Sequence, residues 1–131
     1  MEDWKIKISV LWLFGIITAL TIILIMLFEP GAIEQIMAGQ FQGQKIGPEV
    51  MLVLAVIVLV PLVMAFLTLV LKNPVNRWAN IIVGLVYFVL GLSDLAKYVA
   101  NSSAYAVLLS LSTEIATLLI VWYAWKSKSL A

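Results

Sequence analysis

The sequence contains no cysteine and no histidine. The lack of cysteine excludes a disulfide framework and a cysteine nucleophile. The lack of histidine removes a common protein ligand of haem, zinc and copper, and the few acidic residues are scattered along the chain. We therefore expect no bound metal and no cofactor.

Charge is also scarce in this chain. Only 11% of the residues are charged, against about 25% in soluble domains, whereas 64% are hydrophobic. Such a chain cannot cover its apolar surface with polar groups, so we expect the lipid bilayer to surround it. The net charge is +1 and no run of basic residues is present, which argues against a nucleic-acid partner.

Four long apolar stretches account for most of the chain. They cover residues 8–28, 50–71, 78–99 and 104–125. Each is close to the ~20 residues that a membrane-spanning helix needs, and helices are required because lipid offers no partner to a free backbone amide. The sequence thus predicts a single integral membrane domain over residues 1–131, with no soluble domain.

The segment between the first two stretches has a different pattern. Pro30 suits the first turn of a helix, and apolar side chains then fall on one face, namely Ile33, Ile36, Met37 and Phe41. This spacing predicts a short amphipathic helix over about 30–42, ended by the glycines that follow, either as a fixed cap or as a movable lid. The predicted fold class is an all-α membrane protein: a four-transmembrane-helix antiparallel bundle with a short interfacial amphipathic helix between spans 1 and 2.

Two short connections complete the predicted bundle. Pro74 is expected to separate the second span from the third, and Asn76 is expected to cap the third span. The Asn-Ser-Ser sequence at 101–103 is expected to cap the fourth span. Because this connection is so short, the third and fourth spans are predicted to form an antiparallel hairpin.

Lysine and arginine are distributed unequally between the two sides of the predicted bundle. The side that holds both termini carries six of them: Lys5, Lys7, Lys72, Arg77, Lys126 and Lys128. The opposite side carries Lys45 and Lys97. The positive-inside rule therefore predicts that both termini are cytoplasmic. The five tryptophans crowd towards the same side, where we expect them to anchor the bundle in the membrane interface.

Glu114 is the one charged residue within the fourth apolar stretch. An isolated charge at bilayer depth costs at least roughly 2.5–3.5 kcal/mol, so this side chain must be protonated, paired or wetted. A helix rises about 1.5 Å per residue, which places Glu114 and Gly91 at the same depth in an antiparallel hairpin. We expect the carboxyl group to point into the gap at Gly91, to be largely neutral and to donate a hydrogen bond.

Polar groups of the other three spans are predicted at the depth of Glu114. Pro61 deprives the Ile57 carbonyl of its helical donor, so this carbonyl needs a substitute partner. Asp94 is expected to be charged and paired with Lys97 near the outer boundary. The predicted polar nest consists of Thr18, Thr21, the Ile57 carbonyl, Tyr87, Asp94, Ser110, Glu114 and Thr117.

Several strings of the sequence are distinctive. They are Asn-Arg-Trp-Ala-Asn-Ile-Ile at 76–82 with Gly84 and Tyr87, Leu-Ile-Val-Trp-Tyr-Ala-Trp-Lys at 119–126, the loop at 30–39 and the region of Pro61. With these strings the chain resembles an uncharacterised family of small prokaryotic four-span integral membrane proteins, known as a domain of unknown function. The resemblance implies the four-helix topology and a prokaryotic cell (inner) membrane, and it implies no activity.

A second group of residues lies at the predicted inner interface. Arg77 can hold a lipid phosphate there, with Trp78 beside the headgroup, and Trp122 and Trp125 are expected at the same level. The alternative is that these side chains only anchor the topology.

Two functions fit the sequence. The first is binding or transport of a small solute or a lipid-like ligand at a mid-membrane polar site around Glu114. The alternative is a non-catalytic structural or partner-binding membrane protein in which Glu114 only locks helix packing. An enzyme is less favoured because no nucleophile–base pair is apparent. The oligomeric state stays open between a monomer and a homodimer, which would enlarge the interior.

Overall fold

The structure is a computed structural model that describes residues 2–127. Its elements are α1 (Asp3–Met26), α2 (Ala32–Met37), β1 (Gln40–Phe41), β2 (Gln44–Lys45), α3 (Pro48–Val70), α4 (Asn73–Ala100) and α5 (Ala104–Lys126). The helices α1, α3, α4 and α5 are each long and apolar enough to cross a membrane. The predicted all-α four-helix bundle is confirmed, and the chain is a multi-pass membrane protein.

The bundle has two distinct ends. We call the end at which α1 and α4 begin the N-terminal end, and the opposite end, which carries α2 and the β-strands, the hairpin end. At the N-terminal end the Asn73 side-chain amide donates to the Glu2 carboxylate over 3.1 Å. At the hairpin end the Tyr105 hydroxyl donates to the Glu29 carboxylate. Each end is therefore closed by a hydrogen bond between segments far apart in the sequence.

The helices α1 and α5 are central to the packing. α1 packs on α3 and α5, and α5 packs on α4 as well, whereas α3 and α4 make little contact with each other. The main core is formed by Trp4, Ile8, Trp12, Met64, Ala65, Ile81, Ile120 and Ala124. Many other large apolar side chains point outward, as is required of helices whose surroundings are lipid.

The tryptophans divide into two groups. Trp4 and Trp12 are only 4% and 2% exposed, and they belong to the core. The prediction that all five anchor the bundle in the interface is therefore wrong for these two. Trp78, Trp122 and Trp125 are exposed at the N-terminal end.

The connection from α3 to α4 differs from the predicted turn. α4 begins at Asn73, before the expected start at 78, and it includes Pro74 in its first turn, where a missing N–H leaves no helical acceptor unpaired. Asn76 does not cap α4. Its side-chain amide donates to the carbonyls of Thr68 over 2.6 Å and Leu71 over 3.3 Å, so it satisfies the end of α3 instead.

The connection from α4 to α5 is a short hairpin, as predicted. Ser103 occupies the N-cap position of α5, but its side chain makes no capping hydrogen bond. The expected side-chain cap is therefore absent from this connection.

The interfacial helix is shorter than predicted. α2 ends at Met37, and Gly39 then adopts a left-handed φ of 81° that stops the helix. A β-hairpin follows, in which Gln40 pairs with Lys45 and the turn residues Gln42 and Gly43 both have positive φ. Two positive φ values are what a two-residue hairpin turn needs, so the expected helix up to residue 42 gives way to strand.

Candidate functional site

The Glu114 side chain is buried in the contact between α4 and α5. It is 5% exposed, and its carboxyl group lies against Gly91. A Cβ placed on Gly91 would overlap Glu114 Oε1 and would lie 2.8 Å from Glu114 Cδ. The depth comparison made from the sequence is thus confirmed for this pair, and the missing side chain of Gly91 is what makes room for the carboxyl group.

Neither carboxyl oxygen of Glu114 has a hydrogen-bond partner among residues 2–127, although both are buried. The hydroxyl of Thr117, one turn along α5, donates over 2.9 Å to the backbone carbonyl of Glu114 and not to its carboxyl group. A buried polar group without a partner costs about 1–3 kcal/mol. The hydrogen bond that the sequence predicted for this side chain is therefore missing, and two acceptor oxygens stay available.

Tyr87, a member of the predicted nest, bonds to another member and not to Glu114. Its hydroxyl donates to the carbonyl of Ile57 over 2.8 Å. Ile57 is the residue whose carbonyl Pro61 deprives of its helical donor, so the predicted need for a substitute partner is confirmed. This bond joins α3 to α4, whose backbones are in close contact at few other points.

The two threonines of α1 in the predicted nest have different kinds of partner. The Thr18 and Thr113 hydroxyls lie 2.7 Å apart and link α1 to α5. The Thr21 hydroxyl donates to the Ile17 carbonyl of its own helix over 2.7 Å. Thr113 was missed because it directly precedes Glu114 and therefore points about 100° away from it around the helix. The predicted nest is therefore several separate contacts and not one connected cluster.

A cleft of about 610 Å³ opens at the hairpin end. Its wall combines the segment 29–44 with the last turns of α4, and its lining includes Glu29, Gln35, Gln44, Asp94, Lys97 and Tyr98. The volume lies within the range of about 300–1,000 Å³ that is typical of small-molecule sites. The cleft is thus large enough for a small polar solute.

Asp94 connects the cleft with Glu114. It lines the cleft, and it is three residues from Gly91 on α4, a rise of about 4.5 Å. Ser110 is buried on α5, one turn from Glu114 towards the same end. Glu114 therefore lies about one helical turn below a residue that solutes in the cleft can touch.

The Asp94 and Lys97 side chains do not form the close ion pair that was predicted, although their charges still attract each other. Within residues 2–127 no contact of 4.0 Å or less joins their charged groups. Both side chains are exposed and both line the cleft, so water can solvate each charge separately. The described part of the chain also holds no group of three acidic residues close enough to bind a metal ion.

A buried polar network at the N-terminal end was not predicted as a unit. Asn80 Oδ1 accepts hydrogen bonds from Trp12 Nε1 over 2.8 Å and from the Thr68 hydroxyl over 3.2 Å. Asn80 Nδ2 donates to the backbone and side-chain oxygens of Asn76 over 2.9 and 2.7 Å. The network joins α1, α3 and α4. Asn80 was visible in the sequence as part of a polar face of the third span, but its partners on the other helices were not.

The predicted interface residues form two neighbouring groups at the N-terminal end. The Arg77 guanidinium lies beside the rings of Trp78 and Trp125. Trp122 lies against Tyr123, with a ring-centroid distance of 5.2 Å, and under the ammonium group of Lys126.

Comparison with known proteins identifies the chain at the level of a family. Residues 1–131 match DUF6326, a family of unknown function. The match covers the whole sequence, so the chain belongs to this family, and the resemblance seen in the sequence is confirmed. No curated protein and no solved structure matches the chain.

Proposed function

We propose that this member of a family without an assigned activity binds a small cationic solute at Glu114, admitted through the cleft at the hairpin end. The observation that carries the proposal is the Glu114 carboxyl group, which is buried and faces the gap at Gly91, and neither of its oxygens has a partner in the described part of the chain. A proton or an ammonium-type cation supplies the donors that this group lacks.

The charges around the site favour a cation. Asp94 and Glu29 line the cleft together with a single cation, Lys97, and Glu114 adds a further carboxyl group below Asp94. A charge inside a membrane protein typically faces a cavity or a partner and marks a solute pathway. Side-chain amides in the cleft wall add neutral hydrogen-bonding groups, which suits a small polar molecule.

The proposed route needs one local movement. The lining of the cleft reaches Asp94 but not Glu114, which is 5% exposed. Because its neighbour at this point is Gly91, rotation of the Glu114 side chain towards Asp94 meets no side chain on that residue. A cation held first at Asp94 would then reach Glu114 within one helical turn.

The structural alternative has its own support. The Glu114 side chain fills the volume that Gly91 leaves open, so it acts as a packing element between α4 and α5. In that role the carboxyl group would need no ligand. Binding and stability measurements on the same variants separate the two functions.

Binding of methylammonium to the purified full-length protein tests the proposal. We expect Glu114→Gln to weaken binding at least roughly tenfold, because removing one member of a buried charge pair costs about 2–5 kcal/mol. Asp94→Asn should weaken it less, and Glu34→Gln, which removes an exposed carboxylate outside the cleft lining, should leave it unchanged. Gly91→Ala keeps the carboxyl group but displaces it, so it should also weaken binding.

The binding should depend on pH. A proton and a cation compete for the same carboxyl oxygens, so affinity should fall as the pH is lowered. The charged groups on the helix that faces Glu114 are Asp94 and Lys97 of α4, whereas α1 contributes only hydroxyl groups at this depth. Failure of the wild type to bind, combined with strong destabilisation by Glu114→Gln, would establish the structural alternative.

We also propose that the N-terminal end faces the cytoplasm of a prokaryotic cell, in its inner membrane. The excess of lysine and arginine at this end supports that orientation. The chain lacks cysteine, so single-cysteine variants report topology directly. In intact cells an impermeant maleimide should label Gln44→Cys at the hairpin end but not Asn73→Cys, and the reverse result would invert the orientation.

We also propose that the protein forms a homodimer. The outward face of α3 is almost entirely apolar, so two bundles that pack through this face would form a larger interior. Light scattering of the protein in detergent distinguishes the mass of one bundle from that of two.

A further inference from the structure

Arg77 is held between two tryptophans at the N-terminal end. Its guanidinium carbon lies 4.8 Å from the ring centroid of Trp78, the next residue on α4, and 4.9 Å from that of Trp125 on α5. Both distances are within the ~6 Å over which a cation is attracted to an aromatic ring. Two helices thus fix one guanidinium group in place.

The hydrogen-bonding capacity of this guanidinium is largely unused. Arginine has five N–H donors. Within residues 2–127 Arg77 makes one hydrogen bond, from Nη2 to the Trp125 carbonyl, and at 3.5 Å it is at the outer limit of such bonds. Nε is buried and has no partner in that range, and no carboxylate of the same residues lies within 4.0 Å of the group. A positioned cation with free donors matches the geometry of an oxyanion.

The depth of the group indicates where that anion comes from. Trp78 and Trp125 are 50% and 60% exposed, and they lie at the ends of two apolar helices. Exposed tryptophans at such positions lie at the level of lipid headgroups. The ammonium group of Lys7 lies 5.5 Å from the Tyr123 ring at the same end, which adds positive charge to this surface.

We propose that Arg77, Trp78 and Trp125 form a binding site for the phosphate group of an anionic phospholipid. The guanidinium donates to the phosphate oxygens, and the two rings hold the guanidinium flat and lie beside the glycerol region of the lipid. The site is at the opposite end from the cleft and does not depend on the function proposed for Glu114. The contacts with the two rings distinguish Arg77 from an arginine that only sets the membrane topology, because topology requires positive charge but no stacking.

Lipid binding can be measured on the intact protein. In native mass spectrometry of the full chain, we expect wild type to retain phosphatidylglycerol more strongly than phosphatidylcholine. Arg77→Gln should weaken phosphatidylglycerol binding roughly fivefold, which corresponds to about 1 kcal/mol for one basic residue at a membrane surface. Arg77→Lys should give an intermediate loss, because lysine keeps the charge but loses the planar fork.

Lys72→Gln is the matched control, since it removes one exposed cation from the same end without touching either tryptophan. Equal losses in Lys72→Gln and Arg77→Gln would overturn the proposal, because they would indicate general attraction between the surface and anionic lipid.

Competition with inorganic phosphate distinguishes a lipid phosphate from a soluble one as the source of the anion. Competition by phosphate at millimolar concentration would support the phosphate chemistry but assign the site to a soluble phosphate.

A second measurement covers the case in which Arg77→Gln does not fold. Phosphatidylglycerol brominated near its headgroup should quench the tryptophan fluorescence of the wild type more than brominated phosphatidylcholine does. Trp125→Phe should remove part of that difference. Identical quenching by the two lipids in the wild type would overturn the proposal without any arginine variant.

Discussion

Two of the buried polar side chains in this bundle differ in how far their hydrogen bonds are satisfied. Asn80, at the N-terminal end, is fully buried, and its amide makes four hydrogen bonds to three neighbouring residues. Glu114, towards the hairpin end, is nearly as buried, but its carboxyl group makes none within residues 2–127. The first arrangement is what a structural polar residue needs, whereas the second leaves two buried oxygens without a partner, a condition that is rare in folded proteins.

The same contrast extends to the surroundings. The main core cluster, with Trp4, Ile8 and Trp12, lies on the side of Asn80, whereas the cleft opens beyond Glu114. We infer that stability is concentrated at the N-terminal end, whereas the proposed solute site belongs to the hairpin end.

The largest effect is expected from Asn80→Ala. The change leaves the indole N–H of Trp12 and the side-chain carbonyl of Asn76 buried without partners, and each such group costs about 1–3 kcal/mol. The free energy of unfolding in detergent micelles should therefore fall by roughly 3 kcal/mol. Asn101→Ala, at an exposed position after α4, should have almost no effect. A loss of similar size in both variants would show that the network does not stabilise the fold.

A change of the opposite sign is expected from Glu114→Met. Methionine has a similar length and removes two buried acceptors that have no partners among the described residues. The free energy of unfolding should stay constant or rise by up to about 2 kcal/mol, since an unsatisfied polar group is itself destabilising. Unfolding measurements under the same conditions on this variant and on Asn80→Ala allow the two changes in the free energy of unfolding to be compared directly. If Glu114→Met destabilised the protein as much as Asn80→Ala does, the carboxyl group would be structural and the contrast would fail.

Much of the fold was predictable because lipid limits the options of the backbone. Each apolar stretch had to be a helix, and the observed spans differ from the expected ones mainly at their ends. The exceptions occur where local geometry decides. Asparagine is a common capping residue, so Asn76 was expected to cap α4. In the fold its side-chain amide lies close to the end of α3 and donates to carbonyls there, a proximity that the sequence does not reveal.

The candidate site was predictable only in part. The depth of Glu114 relative to Gly91 follows from the regular rise of a helix and a short connection, so that contact could be inferred from residue numbers. The rotation of each helix about its axis could not be inferred. Rotation decides that the Tyr87 hydroxyl meets the Ile57 carbonyl and not Glu114, and that Thr18 meets Thr113.

A smaller effect is expected from Tyr87→Phe. The change removes the hydroxyl that bonds the Ile57 carbonyl, and it keeps the ring that packs edge-on against Trp12 at 5.8 Å. Interhelical hydrogen bonds inside membrane proteins average about 0.6 kcal/mol, so a loss of that order is expected in the free energy of unfolding. Thr21→Val is the control, because its hydroxyl bonds within its own helix. Methylammonium binding should be unchanged in both variants, and a loss of binding in Tyr87→Phe would extend the site to the contact between Tyr87 and α3.

The smallest effect is expected at the exposed N-terminal end, from Glu2→Gln. The hydrogen bond from the Asn73 side chain, and then that from the Trp4 indole, lower the pKa of Glu2 below its ordinary value of 4.5. A carboxyl group with a lowered pKa in the folded state favours folding above its unfolded-state pKa, and this contribution disappears as the pH falls through the folded-state value. The unfolding temperature of the wild type should therefore drop slightly more than that of Glu2→Gln between pH 6 and pH 3. Parallel curves for the two proteins would show that the Asn73 contact does not persist in solution, which would weaken the claim that the N-terminal end is the more firmly held half.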